Sequence, residues 1–104
     1  MKRYRILMTE PAAGDLQQIA EYIAKELREP ITARKLVDKI KEAIISLAEM
    51  PTRHSTVNDE RLATAGIRNF PVANYIVFYV ISEKNETVTV IRILYGRRDW
   101  EHLL

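Results

Sequence analysis

Apolar residues recur at Ala12, Leu16, Ile19, Ala20, Ile23 and Leu27, every third or fourth position, which places them in one stripe of an α-helix with a polar back face. Pro11 suits the first turn of that helix, where a missing N–H is tolerated. The tripeptide Arg28-Glu29-Pro30 breaks the run. A second stripe follows at Ala33, Leu36, Val37, Ile40, Ala43, Ile44 and Leu47, and Met50-Pro51 ends it. Two amphipathic helices joined by so short a connection fold back as an antiparallel hairpin. Ahead of them, residues 4–9 (YRILMT) read as a short strand.

After residue 66 the period falls from 3.6 to 2. Residues 66–72 (GIRNFPV) form a short strand, and residues 74–82 (NYIVFYVIS) a rich one. Tyr75, Val77, Tyr79 and Ile81 lie on one face of it, and Ile76, Phe78 and Val80 on the other. The turn is at residues 83–86 (EKNE), and residues 87–95 (TVTVIRILY) form the last strand. Both faces of these strands are largely apolar, so the hairpin covers one side and something else partly covers the other. Residues 51–66 have no sustained period and read as a loop with one turn of helix. The expectation is a single α+β domain over residues 1–104, with a small antiparallel sheet packed on an N-terminal helix hairpin. Its order is β-α-α-β-β-β with a short C-terminal tail or helical turn.

Composition removes several chemistries. The 104-residue chain has no cysteine, so disulfides and thiolate chemistry are unavailable. Its three glycines form no phosphate-binding loop, and no nucleophile elbow is present. His54 and His102 stand far apart without metal-ligand spacing, so neither a metal nor a cofactor is expected. No apolar run reaches signal-peptide or membrane-spanning length, which leads to the expectation of a soluble cytoplasmic protein. The net charge is only +2, but six of the seven basic residues after position 52 are arginine. Guanidinium groups grip phosphate or carboxylate through two bonds, which makes the second half the better candidate for a recognition surface.

What remains for an enzyme is metal-free acid–base chemistry on a polyanion, with arginines offsetting charge while a histidine, glutamate or tyrosine moves protons. Arg68, Tyr75, Tyr79, Arg92, Tyr95, Arg97, Arg98, His54 and His102 are the available parts, and the spacing does not fix their roles. Tyr75, Phe78 and Tyr79 read first as core. Arg92 interrupts an apolar strand and must reach solvent, a carboxylate or a bound anion. Trp100 docks the tail onto the helix hairpin or meets a partner, and Asp99 caps a final turn or pairs with an arginine.

Three stretches, YRILMTEPAAGDLQQIAEYIA, DERLATAGIRNFPVANYIVFYVI and VTVIRILYGRRDWEHLL, together resemble the RelE/ParE superfamily, the toxins of type II toxin-antitoxin modules. The likeness runs from Tyr4 to Leu104. Its most specific parts are the Gly-Ile-Arg before the strands, the Asn-Tyr-x-x-Phe-Tyr of the middle strand and the Ile-Arg-Ile-Leu-Tyr-Gly-Arg-Arg-Asp ending. The resemblance implies a plasmid-stabilisation type of module, growth arrest by the free toxin and a cognate antitoxin that wraps it. Two targets are open. RelE-type members are mRNA interferases that cleave messages on the ribosome without metal, whereas ParE-type members are DNA gyrase inhibitors and not enzymes.

The ribonuclease branch carries an arginine after the tyrosine of the middle strand and a tyrosine near the C-terminus. Ile76 and Leu104 occupy those places here. These departures favour the ParE branch, with Arg68, Arg92, Tyr95, Arg97, Arg98, Asp99 and Trp100 meeting the target or antitoxin. Under the ribonuclease alternative the candidates are Arg68, Tyr75, Arg97, Arg98, His54 and His102. A third alternative is an inactive partner in an antitoxin-bound repressor complex. In each reading the arginines are expected to gather at one end of the sheet and to face an acidic, partly disordered antitoxin segment.

Overall fold

Thr9 joins the first strand to the first helix. The computed structural model describes residues 2–96 and 100–104. Strand β1 (Arg5–Met8) ends one residue before helix α1 (Glu10–Glu21). Between them the Thr9 hydroxyl accepts from Ala12 N (3.1 Å) and donates to the Ile91 carbonyl (2.9 Å), while Thr9 N donates to the Val90 carbonyl (3.0 Å). One side chain thus caps the helix and fixes it to the sheet. Ala12, Leu16, Ile19 and Ile23 are buried, as their spacing predicts.

The helix then widens. Tyr22–Glu26 form a π-turn, with Leu27 N donating to Tyr22 O (3.2 Å) across five residues, and Arg28 takes a left-handed φ of 55° to end it. A wider turn moves the following side chains off the stripe. Leu27, expected in the core, is therefore 48% exposed. Helix α2 (Pro30–Ser46) returns along α1 and buries Ala33, Ile40 and Ile44, followed by Leu47.

Helix α3 (Glu60–Thr64) is the single turn expected in the loop, capped by Asp59 Oδ1 accepting from Leu62 N (3.1 Å). Strands β2 (Arg68–Val72), β3 (Tyr75–Ser82) and β4 (Thr87–Tyr95) form the antiparallel meander, in the sheet order β1-β4-β3-β2. The sheet gains β1 as a parallel edge, with Arg5 opposite Thr87 and Met8 opposite Val90. A bulge lies where Phe78 pairs with Arg92 and Tyr79 with Val90, leaving Ile91 unmatched. At the other edge, Val57 N donates to Ile67 O (3.0 Å) and Asn69 N to Ser55 O (3.2 Å), so the loop after α2 covers the start of β2.

Tyr75, Val77, Tyr79 and Ile81 face the hairpin, together with Phe70, Val72, Val88, Val90 and Ile93. Ile76, Phe78 and Val80 face the opposite way, onto Val57, Leu62, Ile67 and Leu94. The second cover is therefore the loop, α3 and the tail. Trp100 belongs to it: its ring lies 5.0 Å from that of Phe78. The expectation that Trp100 docks on the hairpin is corrected, because the hairpin face is already filled by Tyr79 and Ile40 whereas the far face offers Phe78 and Leu94 to cover. No helix among the described residues is long and apolar enough to cross a membrane.

Candidate functional site

At the end of the sheet where α1 widens, a cleft of about 740 Å³ opens between the hairpin and the strands. Tyr22, Leu27, Glu29 and Leu36 line it from the helices, and Tyr75 and Tyr95 from β3 and β4. Tyr75 and Tyr95 are directly opposite in the ladder, with ring centroids 5.7 Å apart and planes inclined at 71°. Burial raises the Tyr75 phenol above its usual range, and the neighbouring Tyr22 and Tyr95 add to the shift. Beside the cleft the chain makes a tight approach at Asn74, one of its lining residues. Gly96 N donates to Asn74 O (2.8 Å), and a Cβ at Gly96 would come 3.3 Å from that oxygen, so the position suits glycine. The two-residue connection of β2 to β3 places Ala73 at a left-handed φ of 54° on the rim.

Arg92 is not on this surface. Its Nε and Nη2 donate to the two oxygens of Asp15 on α1 (2.7 and 2.8 Å), and its Nη1 donates to the Leu103 carbonyl of the tail (3.2 Å). Asp15 Oδ2 also accepts from Ile93 N (2.9 Å), on the edge of β4 beyond the reach of β1. Of the three options for a strand arginine, the carboxylate applies. Arg92 thus ties helix, sheet and tail together.

Arg68 stands elsewhere again. Its Nη1 donates to the His54 carbonyl (2.6 Å), and its place opposite Tyr79 puts it four ladder steps, roughly 13 Å, from Tyr75. His54 stacks on Phe70 with centroids 4.4 Å apart, on the hairpin face, while His102 lies in the turn between Trp100 and Leu103 on the opposite face. The two histidines do not share a site. Arg97, Arg98 and Asp99 lie outside the described residues. Arg68 on β2 and Arg92 on β4 lie in neighbouring rows of the ladder on either side of β3, and each is engaged within the chain, Arg68 by the His54 carbonyl and Arg92 by Asp15.

Burial, followed by the charge of Arg53, lowers the His54 pKa from its ordinary 6.5. The unfolded chain therefore takes up a proton at a higher pH than the folded one. His54's contribution is intact above about pH 6.5 and is lost as pH falls below that value. The urea midpoint is expected to drop on acidification from neutral pH. In His54→Gln the drop should be smaller; an identical pH profile would contradict this environment for the ring.

Tyr22, Leu27, Glu29 and Asp15 were not singled out from sequence as site or tie residues. Asp15 carried a legible signal, since it lies on the buried stripe between Ala12 and Ile19 and needs a partner there. The remaining three depend on the wide turn, which has no evident sequence marker. Among the described residues, no three histidine, aspartate or glutamate side chains converge as metal ligands would.

A family model described as the ParE toxin of type II toxin-antitoxin systems, parDE, matches residues 6–100. The chain is similar in structure to a protein of a chromosomal ParDE toxin-antitoxin system from P. aeruginosa, with a TM-score of 0.73 and 20% identity over 89% of this chain and 96% of that one. A toxin-antitoxin complex, RelBE2, from Mycobacterium tuberculosis matches with a TM-score of 0.66 and 19% identity over 89% and 98%. A mutant RelE toxin from E. coli in the free state matches at 0.68 and 10% over 97% and 92%. No curated protein matches the chain.

Proposed function

Because the chain belongs to the ParE toxin family of type II toxin-antitoxin systems, we propose that it arrests growth by binding and inhibiting DNA gyrase, and that a cognate antitoxin neutralises it. The observation that carries the gyrase reading is the environment of the middle strand. Ile76, where the ribonuclease branch has an arginine, packs with the apolar cluster on the far face of the sheet. An alkyl side chain there cannot offset charge on a phosphate.

The surroundings of Arg92, His54 and Tyr75 support the same reading. Arg92 is engaged by Asp15, His54 is stacked on Phe70, and Tyr75 is paired with Tyr95 beside an apolar cleft. A general base needs a free lone pair within reach of its proton, and a phosphate needs a cation beside it. Arg68 is the described candidate nearest to a polyanion role, and its guanidinium already serves the His54 carbonyl.

Expression without antitoxin is expected to stop growth while messages stay intact. Primer extension on ribosome-bound transcripts reads this directly. Cuts mapped to the ribosomal A site would replace the gyrase reading with the ribonuclease one. Unaffected growth would favour a non-toxic partner in a repressor complex.

A further inference from the structure

The cleft at Tyr22, Tyr75 and Tyr95 has a chemistry opposite to that of the arginine-rich sequence following it. Tyr75 and Tyr95, whose rings meet edge to face at 71°, line the cleft together with Tyr22, which is half exposed. An aromatic face is negative and attracts a cation placed over it. Glu29 is the charged side chain that lines the cleft among the described residues, and it adds a carboxylate to the same space. An anion would meet the phenol rings and a like charge there. A cation would meet attraction from both.

Size and lining narrow the choice further. Ile23, Leu27 and Leu36 give the cleft an apolar floor, and its volume of about 740 Å³ is far larger than one side chain. A free small cation would leave that floor wet. A peptide segment fills it, with aliphatic residues on the floor and a long basic stem laid along the walls. Guanidinium is flat and weakly hydrated and stacks on aromatic rings, so it suits these walls better than an ammonium group.

We propose that this cleft seats an arginine side chain carried within an apolar segment of the antitoxin, between the rings of Tyr22, Tyr75 and Tyr95 and beside Glu29. The identity of the partner rests on the toxin reading given above, whereas the cation preference rests on the cleft alone. The antitoxin then makes two kinds of contact of opposite sign: acidic residues toward Arg97 and Arg98, and one basic anchor in the cleft.

The test is a ¹H–¹⁵N NMR titration of the full chain with acetyl-Leu-Arg-Leu-amide, repeated with citrulline and then glutamate in place of arginine. Citrulline keeps the shape and removes the charge. Shifts are expected at Tyr22, Ala73, Tyr75 and Tyr95, with the arginine peptide binding at least about threefold more tightly than the citrulline one and the glutamate peptide weakest. Tyr22→Ala and Glu29→Gln, both at exposed positions, should each weaken the arginine peptide while the rest of the spectrum stays native. Equal binding of arginine and citrulline, shifts confined to another face, or no shift up to about 10 mM peptide would each overturn the proposal. Growth arrest is scored separately, so a chain that arrests growth but ignores the arginine peptide loses this inference alone.

Discussion

Asp15→Ala is expected to destabilise the fold by about 3–5 kcal/mol, the usual cost of removing one partner from a buried ion pair. Asp15 is nine-tenths buried, and its two oxygens receive three donors: Arg92 Nε, Arg92 Nη2 and the Ile93 amide. Alanine leaves a guanidinium without its countercharge and a strand amide without an acceptor. Small domains hold only about 5–15 kcal/mol in total, so the variant is expected to be partly unfolded in mild denaturant. The tail should loosen with it, because the same guanidinium holds the Leu103 carbonyl. Replacing both partners, Asp15→Leu with Arg92→Met, removes the stranded charge and should recover most of the loss. The Ile93 amide stays unpaired in that double variant, and a deficit of about 1–3 kcal/mol should remain. Urea midpoints of the two variants check this; an Asp15→Ala midpoint equal to that of the native chain would show that the tie contributes little.

Reversing the charge of Arg97 and Arg98 together is expected to have the largest functional effect. Both follow directly on Gly96, which is fixed to the β2–β3 connection through Asn74. Like charges brought together across an interface cost several kcal/mol, so Arg97→Glu with Arg98→Glu should weaken binding to an acidic partner by at least about a hundredfold. Growth arrest on expression without antitoxin should disappear, or pairing with the antitoxin should fail, while circular dichroism stays native. Retention of both activities would remove these arginines from the working surface. Trp100 anchors the adjoining tail on Phe78, so the tail's hold on the sheet can be tested by mutation separately from the recognition proposed for Arg97 and Arg98.

The meander was legible because period two is unambiguous over β3: the same alternation that separates Val77 and Tyr79 from Phe78 and Val80 puts them in two different cores. The helix hairpin was legible for a similar reason. The fate of Leu27 was not, because the stripe it continues is interrupted by a turn whose hydrogen bonds span five residues instead of four. Nor was the partner of β1, since a four-residue strand bears no mark that it will run parallel to β4. At the site, the sequence identified Arg92 as a residue in need of a partner and left the partner open. Asp15 lies 77 positions away, and only the packing of α1 across β4 brings the two together. Tyr75 and Tyr95 were named as candidates, but the cleft itself went unread because Tyr22, Tyr75 and Tyr95 come from three separate elements and nothing in the sequence joins them.

The most direct test of the central claim is a supercoiling titration, in which gyrase acts on relaxed plasmid at rising ratios of the purified chain. Binding and inhibition of gyrase should stop supercoiling as the toxin approaches stoichiometric excess, and prior addition of the antitoxin should restore it. Full supercoiling at large excess of a natively folded chain would contradict gyrase as the target.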